Sequence, residues 1–336
     1  MNSPKPRRQL AVLYSFGPHG DETNPYVRLL TSAVAEQVNV QYFSWRRALL
    51  GSYDVFHVHW PEALVRRRTL QGRIACRLLL SLLLMRLAVS RTAIVRTEHN
   101  LRPHESGNLY ERILLRLLDR LTTAWIVMNE TASVGPLNKL HFIPHGHYMD
   151  WYKVGADFPA KRKNRLLMFG LIRPYKGIEE LIRAFEALNI DAGFELEVMG
   201  KPQNPSYAQE LLASVASVPN IVTEFRHIPD NELSRAIAEA ALVILPYKAM
   251  HNSGALLLAL SLGTPVLVPK NDMTDALAAE VGDLWVQRFD SQITPEAILA
   301  ATTSTSAIEG SPNLSMRDWS KIGVQHVRLY REISNH

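Results

Sequence analysis

The strongest constraint in this sequence is an alternation that runs through it twice. Short apolar runs of strand length are followed by longer segments in which apolar residues recur every three or four positions. Strands are expected at residues 10–14, 38–43, 53–60, 93–99 and 124–128, with 140–147 closing the first series. Asn24-Pro25 predicts a helix start, Asn as cap and Pro at the first position; another helix is expected over 108–121. A polar, basic connector at 155–164 interrupts the pattern. It restarts with strands near 165–171, 195–200, 220–225, 241–247, 265–269 and 283–288. Asp230 is expected to cap one helix of this half, and Ser315-Met316-Arg317-Asp318 to form a capping box opening the last one. Strands alternating with helices predict an α/β chain of two doubly wound, Rossmann-like domains with a cleft between them. The expected boundaries are 1–155, 156–314 and a final helical segment, 315–336. In such sheets ligands bind outside the carboxyl ends of the strands, where the strand order reverses.

At 336 residues, 47% hydrophobic and 21% charged, the chain is large and apolar enough for two ordinary cores. Its single cysteine, Cys76, rules out an internal disulfide and a Cys-based zinc site, and fits a reducing compartment. Residues 1–8 are basic but lead into too short an apolar run for a signal peptide, and no apolar run approaches the ~20 residues of a membrane span. A cytoplasmic protein is expected. The net charge of +5 leaves nucleic acid, anionic lipid and anionic small molecules open until the charge is located.

Two glycine-rich corners locate part of it. Residues 170–177, Gly-Leu-Ile-Arg-Pro-Tyr-Lys-Gly, lie between an apolar strand and an amphipathic helix. Arg173 and Lys176, three apart and followed by Gly177, can face one anion together at that helix start. The alternative is a solvated charged loop. The second corner, Asn252-Ser253-Gly254, follows the strand ending in Pro246-Tyr247 and opens a very apolar helix. Backbone amides there could approach a diphosphate, with the Ser253 hydroxyl as a further donor; the alternative is a capped buried helix. Neither corner is a Walker A loop, and no Gly-x-Gly-x-x-Gly is present.

Histidines gather at expected strand ends: His57 and His59, His99 and His104, His145 and His147, with Glu62 and Glu105 beside them. The types alone admit a zinc site, but no helical His-x-x-x-His supports one. A polar wall in which a carboxylate or imidazole takes a proton from a hydroxyl fits better, and each histidine alone also reads as structural.

Residues 66–86 combine Arg66, Arg67, Arg68, Arg73 and Arg77 with an apolar core at 78–85 that is too short to span a bilayer. Either this is a crossover helix with a basic edge, or it docks on an anionic membrane. Nucleic acid is disfavoured, because no aromatics interleave with the basic residues.

The two corners, with His57-Val58-His59-Trp60-Pro61-Glu62, the stretch 99–105, His145-Gly146-His147-Tyr148 and Arg317-Asp318-Trp319, resemble the GT-B glycosyltransferases. More closely, the chain resembles the GDP-mannose-dependent β-1,4-mannosyltransferases of xanthan-type exopolysaccharide assembly, with matching segments in order along nearly its whole length. The resemblance implies a GT-B fold: acceptor-binding domain first, nucleotide-sugar donor domain second, final helix crossing back onto the first. It implies mannose transfer from GDP-mannose to a polyprenyl-diphosphate-linked glycan, with inversion, peripherally at the inner membrane face. By position, Arg173, Lys176, Gly177, Tyr247, Asn252, Ser253 and Gly254 would bind the donor. His59, Trp60, His104, His145 and His147 would line the acceptor side. Retaining relatives carry a Glu-x₇-Glu motif where this chain has Met250 and Leu258, which agrees with inversion. The base expected is Glu62, Glu105 or His99. No metal or other cofactor is expected, because Arg173 and Lys176 could carry the leaving-group charge. A UDP-sugar donor and a non-catalytic membrane scaffold are the alternatives.

Overall fold

A computed structural model describes residues 8–20, 24–67, 69–90, 92–99, 108–129, 135–152, 158, 160–188, 193–216, 218–248, 250 and 252–334. The chain forms two compact units, Met1–Gly146 with Arg317–His336, and His147–Met316.

In the first unit, β1 (Ala11–Tyr14), β2 (Asn39–Tyr42), β3 (Val55–Val58), β4 (Ala93–Glu98), β5 (Ala124–Val127) and β6 (Leu140–Phe142) make one sheet. Its order is β2-β1-β3-β4-β5-β6, and every pair is parallel. Parallel neighbours need long crossovers. Among them are α1 (Pro25–Val34), α2 (Trp45–Leu50), α3 (Leu70–Ser90) and α4 (Leu109–Leu121), and α12 (Trp319–Ser334) joins from the end of the chain. Asn24 caps α1 as the sequence predicts, its side chain accepting from the Tyr26 amide.

The two-residue period of a strand sorts this core into two layers. Val12 and Tyr14 pack with Leu30 of α1 and with Ile322 and Tyr330 of α12. Ala11 and Leu13 pack on the other face, with Leu80 and Leu87 of α3 and Leu118 of α4. The same period puts His57 of β3 beneath α12. Its ring bonds the Tyr330 hydroxyl at 2.6 Å and Thr97 at 2.7 Å, and Tyr330 also meets the Tyr14 hydroxyl at 3.0 Å. His326 of α12 bonds the Ile322 carbonyl. These are buried polar groups held in a network, so His57 is structural.

Burial holds the His57 and His59 rings neutral well below the usual pH, and pushes His326 down to about 4. Their neutral forms are favoured by folding, whereas the unfolded chain takes up protons near pH 6.5. Stability is therefore level above about pH 7 and is lost as pH falls from 6.5 towards 4, by up to ~1.4 kcal/mol per pH unit per group. The melting temperature is expected to drop by several degrees between pH 7.5 and 4.5. A flat profile would show the rings to be solvated.

The second unit holds β7 (Arg162–Phe169), β8 (Glu195–Met199), β9 (Ile221–Glu224), β10 (Ala240–Ile244), β11 (Val266–Pro269) and β12 (Val286–Phe289). The order β12-β11-β10-β7-β8-β9 is again wholly parallel. The chain starts in the middle at β7, winds out to β9, then returns to β10 on the other side. The reversal falls between β7 and β10, which is where such a sheet opens a crevice. Its helices are α5 (Met149–Tyr152), α6 (Ile178–Glu186), α7 (Pro205–Val215), α8 (Asp230–Glu239), α9 (Gly254–Ser261), α10 (Asp272–Val281) and α11 (Pro295–Thr305).

One expected cap differs. Pro229, not Asp230, stands at the cap of α8, and the Asp230 carboxylate instead accepts from Trp151 Nε1 at 2.8 Å. Residues 315–317 form a 3₁₀ turn, and Asp318 accepts at the start of α12 from the Ser320 amide at 2.8 Å.

Candidate functional site

In the second unit the buried end of β7, Leu-Leu-Met-Phe, delivers the chain to Gly170 at the reversal point. Gly170 has φ 108°, and a Cβ there would come within 2.9 Å of Lys176 Nζ. A 3₁₀ turn, Pro174–Lys176, leads to Gly177, the N-cap of α6. Gly177 has φ 68°, and a Cβ there would sit 2.1 Å from the carbonyl oxygen of Pro246, just beyond β10. Only glycine lets the two loops close this far. Gly177→Ala is expected to destabilise this unit by more than the ~1–3 kcal/mol of a strained backbone position, because the clash adds to it. Gly263→Ala is the control, with the same φ of 68° and nothing near its Cβ. Equal melting temperatures for the two variants would show the close approach to be unimportant.

That approach sets the electrostatics. Lys176 is buried, with Nζ 2.9 Å from the Tyr247 hydroxyl and 4.6 Å from the centre of the Tyr247 ring. Among the described residues no carboxylate pairs with it. Burial, and then the neighbouring Arg173, lower its pKa to about 7. Arg173 is half-buried, and its Nε has no partner among the described residues. Two cations thus share one corner with no carboxylate paired to either among the described residues, an arrangement that stabilises an incoming anion.

The second corner begins the fully apolar α9. Ser253 caps it, Oγ accepting from the Leu256 amide at 3.2 Å, which leaves its own proton to donate. Asn252 is half-buried, and Gly254 lies so close beneath Tyr148 that a Cβ there would be 3.0 Å from the Tyr148 hydroxyl. Tyr148 is not among the residues the sequence marks for a role. Its backbone amide is anchored on α9, donating to Ser261 Oγ at 2.9 Å. Asn271, also unmarked, holds the approach to this corner by donating to the Met250 carbonyl at 3.0 Å. Neither could be found without the fold, since each acts through a partner distant in sequence. Met250 and Leu258 are both buried. His147, also in this unit, accepts from the Met149 amide at 3.3 Å.

In the first unit the acceptor-side candidates stand at the carboxyl ends of β3 and β4. Ser15 ties β1 to β3, its Oγ accepting from the His59 amide at 2.8 Å and donating to the His59 carbonyl at 2.9 Å. His59 Nδ1 and His99 Nε2 are 2.9 Å apart, and the Trp60 indole stacks on His99 at 4.3 Å. Tyr26 gathers this set, with its ring 6.0 Å from His59, 5.3 Å from His99 and 4.7 Å from His145. The His145 carbonyl also accepts from Arg317 at 3.1 Å. Burial, then His145 and Arg96, push His99 down to about 3, which makes it a weak proton acceptor. Trp60 is held at φ 46°, a left-handed conformation costly for a bulky residue. It projects the 3₁₀ turn Pro61–Leu64, where Glu62 is half-buried with no side-chain partner among the described residues. His104 and Glu105 lie outside the described residues. No group of three His, Cys, Asp or Glu among the described residues is placed to hold a metal ion.

Of the arginines marked for a membrane, Arg66 pairs with the buried Glu111 at 2.9 Å. Arg67 is exposed and donates to the Ala63 carbonyl, while Arg73 is exposed on α3. Arg77 is half-buried, its guanidinium 5.9 Å from the Tyr110 ring. Arg68 lies outside the described residues.

The family described as "Glycosyl transferases group 1" matches residues 163–303, within the second unit. Two proteins of Xanthomonas campestris pv. campestris, both named GDP-mannose:glycolipid 4-beta-D-mannosyltransferase, are each 40% identical to this chain, covering 96% of it and 93% of their own length. The chain belongs to their family and is a glycosyltransferase. This sets aside the non-catalytic scaffold. Among solved structures, the glycosyltransferase shares its fold with Anabaena HepE in complex with UDP and glucose (14% identity, 96% and 95% of the two chains, TM-score 0.60). It also matches AviGT4, a glycosyltransferase involved in avilamycin A biosynthesis (17% identity, 97% and 98%, TM-score 0.59). The fold is GT-B, as the resemblance implies.

Proposed function

We propose that this glycosyltransferase moves mannose from GDP-mannose to a polyprenyl-diphosphate-linked oligosaccharide at the cytoplasmic face of a membrane, in exopolysaccharide or glycolipid assembly. The acceptor oxygen forms the new bond to C1 of mannose, with inversion. The C1–oxygen bond to the β-phosphate breaks, and GDP leaves with the electron pair. Glu62 takes the hydroxyl proton; Arg173 and Lys176 neutralise the departing diphosphate in the role a metal plays elsewhere. Tyr247, Asn252, Ser253 and Gly254 complete the donor-binding set, while His59, Trp60, His99 and His145 line the acceptor side.

The observation that carries this reading is Lys176, a buried cation with no acid among the described residues, beside Arg173 at the point where strand order reverses. The 40% identity to the Xanthomonas mannosyltransferases supports GDP-mannose and a glycolipid acceptor. Met250 and Leu258 in place of glutamates support inversion. Glu62 is favoured as base over His99 because burial pushes the His99 imidazole down to about 3, which makes it a weak proton acceptor.

The test is transfer by purified protein from GDP-mannose, UDP-glucose or UDP-glucuronate to a polyprenyl-diphosphate-linked glycan, with and without EDTA. A β-mannoside formed from GDP-mannose, undiminished by EDTA, is expected. Transfer from a UDP-sugar alone, an α-linked product or inhibition by EDTA would overturn the corresponding part.

A further inference from the structure

On the first unit, α3 buries Cys76, Leu80, Leu83, Leu84 and Leu87, and on its opposite side exposes an equally apolar row. That row is Leu70, Ile74, Leu78, Leu82, Met85 and Val89, with Leu78 and Met85 58% exposed and Val89 85%. Steps of three and four place all six along one stripe covering about a third of the helix circumference. An ordinary crossover helix buries one stripe and turns polar residues outward. This one does not.

The neighbouring α4 repeats the pattern. It buries Leu114 and Leu118 and exposes Leu109, Ile113 and Leu117, each one turn beyond the last. The helices touch through Tyr110, whose hydroxyl is 3.2 Å from Ser81 Oγ and whose ring lies 5.9 Å from the Arg77 guanidinium. The two apolar rows therefore belong to one surface.

Charge on that surface is of one sign. α3 contains no Asp or Glu. The two acids of α4 are both paired with arginines, Glu111 with Arg66 and Asp119 with Arg96. Outward stand Arg73 on α3 and Arg112, Arg116 and Arg120 on α4, all exposed. The α4 arginines follow the same four-residue step as Leu109, Ile113 and Leu117, so a basic edge borders an apolar stripe.

From this surface we infer that α3 and α4 together form a docking face that lies flat on an anionic lipid bilayer. Their apolar rows enter the acyl boundary, and the arginine edge meets the headgroups. This deepens the glycolipid reading, on which it rests for the acceptor being held in a membrane. It shifts the attachment from the arginines of residues 66–77 to two apolar rows, one on α3 and one on α4. Headgroup phosphates complement the arginine edge, and an acyl layer complements the leucines. A second copy of this face would bring like charges together. No described helix is long and apolar enough to cross a membrane, so the contact lies in the interface plane.

The experiment is flotation of the full chain with vesicles of phosphatidylcholine alone, or with phosphatidylglycerol added. The variants are Leu109→Ser/Ile113→Ser/Leu117→Ser, the matching Leu78→Ser/Leu82→Ser/Met85→Ser, and Arg112→Gln/Arg116→Gln/Arg120→Gln. All the replaced side chains are exposed, and an unchanged circular dichroism spectrum and melting temperature report an intact fold. Wild type is expected to float with anionic vesicles and less with neutral ones. Each serine triple should lose binding by at least ~10-fold, as expected when three leucine-sized groups stay in water. The glutamine triple should abolish the preference for anionic lipid. Wild type that does not float, or an α4 serine triple that floats unchanged, overturns the proposal. So does a lipid-free dimer that the serine triples dissolve, since the face would then join two copies. Transfer to a short-chain acceptor without vesicles tests the enzymatic reading separately, so the two can fail independently.

Discussion

Lys176→Met is expected to lower mannosyl transfer by about 10²- to 10³-fold, the range seen when one preorganised donor to a developing charge is removed. The protein should remain folded and melt at the same temperature or higher. Lys176 is buried against Tyr247 with no carboxylate among the described residues, so its charge costs stability in the ligand-free protein. The sign with pH follows. Its folded pKa is about 7, below the unfolded value, so the neutral amine is the form that folding favours. Below about pH 7 the free protein carries the charge and the diphosphate meets a ready cation. Above it, the donor must bring a proton in with it, and the apparent Kd weakens by up to ~10-fold per pH unit. Calorimetric titration of GDP in buffers of different ionisation enthalpy should show proton uptake near pH 8, absent in Lys176→Met. Equal GDP affinity for both proteins would remove Lys176 from the donor site.

Glu62→Gln is expected to reduce kcat by about 10²- to 10⁴-fold, the usual worth of general base catalysis, and to leave GDP affinity unchanged. The amide keeps the size and hydrogen-bonding reach of the side chain but cannot accept the proton. Glu62 makes no side-chain hydrogen bond or ion pair among the described residues, so the melting temperature should stay within about 2 °C of wild type. Wild-type turnover by this variant would move the base to another residue, with Glu105 next to be tried.

Most of the architecture could be read along the chain. The alternation of strand and helix patterns is local, because a two-residue and a 3.6-residue apolar period are visible in any ten consecutive residues. The Gly170 and Gly177 turn could be marked as an anion corner because its glycines and cations are adjacent in sequence. The helix caps were less legible. Asp230 lost its capping role to a side-chain bond with Trp151, 79 residues away. On α3, the arginines stand out in the sequence because they interrupt an apolar run. The exposed apolar row was visible only once burial showed which stripe faced the core, since nearly every position there is apolar.

Sequence alone determined the two doubly wound units, the two glycine corners and the cluster of polar residues at strand ends, because each is written in contiguous residues. Tertiary structure alone decided what those residues do to one another. The reversal of strand order lays β7 against β10, and so sets Lys176 on Tyr247 across 71 residues and Gly177 on the Pro246 carbonyl. In the first unit the return of the chain as α12 sets Tyr330 over His57 across 273 residues, making that histidine structural while its neighbour His59 meets His99. The physical reason is that ionisation and packing depend on burial and on partners a few ångströms away. Those partners are chosen by the order of strands in a sheet, a property no stretch of sequence carries by itself.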